Sequence, residues 1–481
     1  MYSLLYFDTE DFISPPEAPV HRLPGQMADI MHRHGLSGCF HIHGEKVRFM
    51  ERHGQTDVIE SIRKHDVSLH YDRGSVHPTT AEEVSNLDWF QGVERVLFRE
   101  FTGFETLHRV LGKCSGLTQH GGTFAAQIVY AAGKMGYPLL YSPFRLPGHG
   151  VVWYCNNLLM AGATMHEAVD SGGLTAFDRI YRDTSAFEEN LARVDPYLTR
   201  LAKAVDYWAC FGCHPVNTVM EAFPDVVNFL DGASPPRKEW KAPTPLKDTS
   251  IPTILENFEK YIKVLVAHPD VEWTTVAGID DLFGTRPTEV NDQALLDGAR
   301  SVIENRAPTF TPLLSAGELL YLLAARTVEK SDTYSVPQVM GPTVAGEGTL
   351  EGLPNDFDLI EMSRSLVNHV IGSGYLPPTL STPSGKIGPE TALILLACHV
   401  CDRPPSEVRD WNQTVDAIPD VAEATERVRG YQSWRPHGPQ YNQAGILEHF
   451  RLQAWTLKPA FTRDQYPEDV RLGRHLNAMI A

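Results

Sequence analysis

The sequence predicts a parallel α/β fold, drawn into a distorted β/α barrel and followed by a mostly helical region. Three observations lead there. Over about the first 280 residues, apolar runs of strand length alternate with amphipathic runs of helix length, joined by short connections. Several of the apolar runs end in carboxylates or histidines, as strands do whose C-terminal ends form a ligand rim. Beyond residue 291 the apolar spacing is helical throughout.

The first strand is Leu4-Leu5-Tyr6-Phe7, running straight into Asp8-Thr9-Glu10-Asp11. Four large apolar residues suit a strand buried on both faces. Three carboxylates so close together repel one another unless something positive sits among them. A divalent metal is the sharper reading, and a solvated acidic turn before Ser14-Pro15-Pro16 the plainer one. A helix over 23–34 closes at Gly35. Gly38-Cys39-Phe40-His41-Ile42-His43 alternates like a second strand. A helix over 57–65, with Asp57 at its positive end, leads to the third strand, Val67-Ser68-Leu69-His70, followed by Asp72 and His77.

Thr79 or Thr80 caps a long helix reaching Leu97. In Gln119-His120-Gly121-Gly122 the glycines allow a tight turn into a helix over 125–135. Strands follow over 137–141 and 151–154, a helix over 187–204, and a strand over 207–213 that delivers His214. A helix over 254–266 and a last strand over 271–276 complete this part. A boundary near 285–291 divides 1–284 from 291–481, where helices are expected over 295–305, 316–329, 359–371, 390–400 and 421–428, with no sheet of three or more strands.

The net charge of −18 argues against non-specific binding to nucleic acid or to an anionic membrane. No apolar run approaches the roughly 20 residues of a membrane span. Met1 leads into a strand and acids, not into a basic segment and an apolar core, so no leader is expected. Seven cysteines, an odd and scattered set, suit a reducing compartment, hence the cytoplasm. Cys210/Cys213 and Cys398/Cys401 are spaced as Cys-x-x-Cys but do not resemble a zinc ribbon, and read as structural.

Three strand ends therefore carry candidate ligands: Asp8/Glu10/Asp11, His70 to His77, and His214. In a parallel barrel those ends face one mouth. One carboxylate and two histidines make an open zinc-like set, which leaves a position for water. A second carboxylate can take a proton from that water, and a further histidine can protonate the leaving group. Taken singly, each histidine is an ordinary hydrogen-bonded rim residue; with 20 histidines in the chain, only their shared placement at strand ends raises the joint reading.

With Asp8-Thr9-Glu10-Asp11, Phe40 to Glu45, the stretch from Asp57 to His70, Gly212-Cys213-His214-Pro215, and Val271 to Val276 with Asp281-Leu282, residues 1–284 resemble the polysaccharide deacetylase family, carbohydrate esterase family 4. The resemblance implies a distorted barrel and a divalent metal, zinc or cobalt. It implies metal-dependent hydrolysis of an amide, such as removal of an N-acetyl group from a sugar or polysaccharide. It also implies roles: Asp11 and His70 on the metal, His77 or Glu10 completing the set, Asp8 as general base, His214 as acid. Spacing alone leaves the order among the three carboxylates open. The chain departs from the family pattern at Gly74, where a second metal histidine belongs, so His77 is the candidate substitute. It departs again before Gly121, where an arginine and a proline are missing and His120 is open as a ligand or substrate contact.

Those departures support a different class of function, a non-catalytic carbohydrate-binding or scaffold protein on a degenerate deacetylase barrel. A third reading is a cyclic-amide hydrolase acting on a small metabolite. Around Gly374-Tyr375-Leu376-Pro377 and the helix over 390–398 the chain resembles small helical repeats associated with cell-wall polymer binding. The plainer reading is a helical region that packs on the barrel or joins copies of the chain into a homo-oligomer.

Overall fold

The structure is a computed structural model describing residues 1–121, 123–161, 178–247, 249–347, 349–350, 356–383, 385–404, 411–432 and 437–474. Gly122 lies outside the described residues.

Among the described residues of the first part there are nine strands: β1 (Tyr2–Thr9), β2 (Cys39–Ile42), β3 (Asp66–Leu69), β4 (Leu117–Thr118), β5 (Leu139–Leu140), β6 (Val151–Tyr154), β7 (Asn157–Met160), β8 (Tyr207–Cys213) and β9 (Glu272–Trp273). They pair in the order β6-β7-β5-β4-β3-β2-β1-β8, with β9 against the first residues of β1. From β7 to β8 every neighbour is parallel. The sheet curls until its ends meet, where Ala209 N–H donates to the Ala161 carbonyl at 3.0 Å and Gly148 bridges Val205 in parallel. This is the expected distorted barrel.

Side chains in a strand alternate between faces, and here both faces are buried. Leu5, Phe7, Phe40, Ile42, Val67 and Leu69 point outward into the main core under the surrounding helices. Leu4, Cys39, Leu140, Leu158, Met160, Tyr207 and Ala209 point inward and form a second cluster inside the barrel. Val276, Ile279 and Phe283 of the helix Val276–Phe283 join that inner cluster, so the helix acts as the barrel floor. Its first N–H, at Val276, is taken by Asp66 at 2.8 Å, from the start of β3. The last expected strand is thus shortened to β9, and Asp281-Leu282 sits in the floor helix.

At the seam the backbones come very close. A Cβ on Gly150 would lie 1.7 Å from the carbonyl oxygen of Tyr207. Gly150→Ala must therefore push β8 from the β6 side, a strain of about 1–3 kcal/mol. Urea unfolding reads this directly, and an unchanged midpoint would show that the seam yields without cost.

The expected long helix from Thr79 is two helices. Thr80–Val84 starts with a capping box between Thr79 and Glu82. Asp88 then caps a second, Trp89–Leu111, which stops at Gly112 with φ 79°. The second N-cap breaks the run where apolar spacing alone shows continuity.

The stretch 285–291 is the strand Thr285–Asn291, paired with Thr333–Ser335 on one side and Arg471–Arg474 on the other. One continuous cluster of buried side chains takes members from both sides of it. The helices Asp292–Asn305, Ala316–Val328, Asp356–Ser373, Pro389–Val400 and Val421–Gln432 match expectation. The absence of a further sheet does not. Thr349–Leu350, Gly385–Ile387 and Leu380–Thr382 form a three-stranded antiparallel sheet. Strands of two or three residues are too short to show a period, which is why the sequence hides them.

The later part returns to the barrel. Lys458–Pro459 pairs antiparallel with β6. Lys458 Nζ donates to Glu318 Oε2 at 2.6 Å and to the Leu313 carbonyl at 3.2 Å, with the two charged side chains only 4% and 1% exposed. Tyr375, from the Gly-Tyr-Leu-Pro stretch, accepts from Trp89 Nε1 at 3.1 Å, so that motif packs on the barrel helix. No disulfide joins any of the seven cysteines. Among the described residues, no helix is long and apolar enough to cross a membrane.

Candidate metal centre

The inward positions change character along the barrel. Apolar residues fill the floor; above them, step by step, stand Tyr6, Asp8 and Glu10 from β1 and its extension, and, from β2, β3 and β4 with the residues just past their ends, His41 and His43, Ser68 and His70, and Thr118 and His120. Registers set Asp8 beside His41 and His41 beside Ser68. Each strand thus delivers a polar group to one buried layer at the C-terminal rim.

Three donor atoms converge there. Glu10 Oε1 lies 2.9 Å from His70 Nε2 and 2.8 Å from His120 Nδ1, and the two nitrogens are 3.0 Å apart. Two imidazole N–H groups cannot face each other at that distance, so at least one presents a lone pair. The other side of His120 is fixed: its Nε2–H donates to Asp225 Oδ2 at 2.7 Å, with Ser75 Oγ at 2.8 Å. A carboxylate behind an imidazole is the arrangement that holds a metal-ligating histidine in its tautomer. Glu10 Oε2, His70 Nδ1 and His41 Nε2 are buried with no hydrogen-bond partner. Carboxylate, imidazole, imidazole and unspent buried donors fit a zinc-like ion.

Two further groups flank the triangle. His41 Nδ1–H donates to Asp8 Oδ1 at 2.9 Å, while the Tyr6 ring stacks on the imidazole at 4.7 Å. His214 Nε2 faces Asp8 Oδ2 at 3.4 Å, and its Nδ1–H donates to Asp178 Oδ2 at 3.0 Å. Asp178 also accepts from the backbone N–H of His214 and from Asn217.

Burial and charge act against each other here. Burial pushes the Glu10 carboxyl up, but His120, His70 and His214 outweigh it and hold it well below its usual value. Asp8 is lowered too, its burial offset by His70, His41 and His214. Burial lowers His214, yet Asp178, Glu10 and Asp8 raise it to about 10. Glu10 and Asp225 do the same for His120, to about 10. Burial, with His120 and His70 adding to it, drops His43 to about 3.

The structure brings Asp8, Glu10, His70 and His214 together as expected; it does not bring in Asp11 or His77. Asp11 Oδ1 accepts from the backbone N–H groups of Ile13 and Ser14 at 2.9 and 3.0 Å, so Asp11 closes the turn after β1. It belongs to none of the converging donor groups. His77 donates from Nδ1 to Glu82 Oε2 at 2.7 Å and from Nε2 to the Phe229 carbonyl at 3.0 Å. Both its nitrogens are spent away from the triangle of Glu10, His70 and His120. The space vacated at Gly74 is filled from β2 instead: a Cβ there would lie 2.6 Å from His43 Nε2. Nδ1–H of His43 donates to the His70 carbonyl, and its ring lies parallel to that of His70 at 5.1 Å.

His77 offers a test of the rim loop. Burial lowers its pKa, but Glu82 and the Phe229 carbonyl raise it overall above 6.5. A folded pKa above the unfolded one gives stability that is fully present below about pH 6.5 and lost as pH rises through the folded value. The melting temperature of the native chain should exceed that of His77→Gln at pH 6 and converge with it at alkaline pH. A constant gap across that range would show that the pair carries no charge.

No family model matches the chain, and no curated protein matches it. Among solved structures it is similar to a family 4 acetyl xylan esterase from Clostridium thermocellum in complex with a cobalt ion, at 12% identity and TM-score 0.30, over 58% of this chain and 90% of that one. It is similar to Puue allantoinase at 11% identity and TM-score 0.36, over 58% and 89%. It is also similar to a CE4 family pseudoenzyme from Bacillus anthracis at 9% identity and TM-score 0.25, over 44% and 56%.

Proposed function

We propose that the rim is the active centre of a metal-dependent hydrolase that removes an acyl group from an amide, an N-acetyl group on a sugar being the type case. The convergence of Glu10 Oε1, His70 Nε2 and His120 Nδ1 within 3.0 Å carries this reading. These three residues would hold the ion, zinc or cobalt, which supplies Lewis-acid polarisation of the acyl carbonyl when bound. Asp8 accepts a proton from the attacking water, with His41 holding one carboxylate oxygen and leaving the other directed toward His214. His214, protonated and oriented by Asp178, donates to the departing nitrogen.

Chain purified without added metal should contain close to one zinc-class ion by elemental analysis, and should release acetate from N-acetyl amides. Asp8→Asn should keep the ion and lose about 10²–10⁴-fold in turnover, the range for a general base. Metal-free protein, or an Asp8→Asn variant as active as the parent, sinks the reading.

A further inference from the structure

The converging groups of the site are almost wholly buried. Glu10, His70 and His120 are 4%, 3% and 3% exposed at their side chains, and even Asp8 and His214 keep only 16% and 15%. The loop over 223–240 roofs one side: Phe223 stands against His214, Asp225 holds His120, and Trp240 packs on Phe12, which abuts His43.

The later part of the chain braces this roof and also packs on the rim loop after β5. Gly438 lies so close to Gly232 that a Cβ on Gly232 would fall 2.3 Å from its Cα. Gly438 N–H donates to Glu82, and Asn442 N–H to Ser85 Oγ at 3.2 Å. The helix Val421–Gln432 sits on the rim loop after β5. Asp420 accepts from the Arg145 backbone, Arg427 donates to the Pro143 carbonyl, and Tyr431 meets Tyr141 at 4.7 Å.

We propose that residues 420–432 and 437–442, braced against the 223–240 loop and the β5 rim, complete a chamber over Asp8 and His214 that admits a small acyl amide, of about one sugar or one small metabolite, and excludes a polymer chain. Substrate size is thus set by the C-terminal part, which acts as a wall of the site. This deepens the hydrolase reading and rests on it.

The test uses the full chain loaded with cobalt(II), whose visible absorption reports ligands at the ion. Acetohydroxamic acid, a small chelating probe, should shift the bands. 4-Phenylbenzohydroxamic acid, with the same head and a long rigid body, should bind more than about 100-fold more weakly, beyond what a single misplaced group costs in a closed pocket. Tyr431→Ala and Arg427→Ala, which thin the wall or unpin it, should each narrow that gap at least about tenfold, the scale of lost steric rejection. Equal binding of both probes to the parent chain overturns the chamber, as does an unchanged gap in variants that still load cobalt. Failure of the parent to load cobalt instead overturns the hydrolase reading, and the chamber with it. The parent's own discrimination between probes decides the matter even if a variant fails to fold.

Discussion

Replacing Glu10 or His120 with alanine is expected to strip the chain of its metal, whereas Asp11→Ala and His77→Gln leave it bound. Glu10 Oε1 is the atom shared by both imidazoles, 2.9 Å from His70 Nε2 and 2.8 Å from His120 Nδ1. Loss of an outer partner of a metal ligand costs roughly 10–100-fold in affinity, so loss of a ligand itself should exceed about 100-fold. Asp11 is spent on two backbone N–H groups and His77 on Glu82 and Phe229, so their removal touches the turn and the rim loop. Elemental analysis of the four variants after dialysis separates the two geometries. Metal lost from the Asp11 or His77 variant and kept by the Glu10 variant would return the site to the arrangement expected from the sequence.

Lys458→Ala is expected to destabilise the whole chain by about 3–5 kcal/mol, the cost of stranding one member of a buried ion pair. Glu318 would keep only Ser315 and the more distant Arg286, at 3.5 Å. The carboxylate also completes the capping box of the helix Ala316–Val328, so it cannot simply turn to solvent. The double variant Lys458→Met with Glu318→Gln should recover part of the loss, because glutamine still serves a capping box and the stranded carboxylate is gone, while Arg286, 10% exposed, loses its charged partner. Urea unfolding of both variants measures it; a single-variant loss below about 1 kcal/mol would place this pair among ordinary surface bridges.

The barrel was legible because its strands are short apolar runs ending in acids or histidines. Asp8, Glu10, His70 and His214 stand at those ends, and the structure gathers them. His41, His43 and His120 were harder to see as a set, since a strand buried on both faces offers no hydropathy contrast to mark its inward side. Parity was the available signal: 6, 8 and 10, then 41 and 43, then 68 and 70, then 118 and 120 fall on one face at steps of two. Asp178 comes from a turn and Asp225 from the five-residue helix Pro224–Asn228, both too short to show a period. His77 pairs instead with a local partner, Glu82 at the start of a helix, which the spacing of strand ends does not show. The small C-terminal sheet is built from strands too short to carry a pattern.

The antiparallel pairing of Lys458–Pro459 with β6 has a consequence for how the chain is made. After Tyr154 leaves the ribosome, about 300 residues must follow before the partner of that edge exists, a delay of roughly 15–60 s at ordinary rates of synthesis. Throughout it, one side of β6 offers unpaired N–H and C=O groups to any other strand nearby, the condition under which sheets join the wrong chain. Nascent chains in this interval are the vulnerable species, and slow decoding between 160 and 459 lengthens their exposure without altering a single contact of the finished fold.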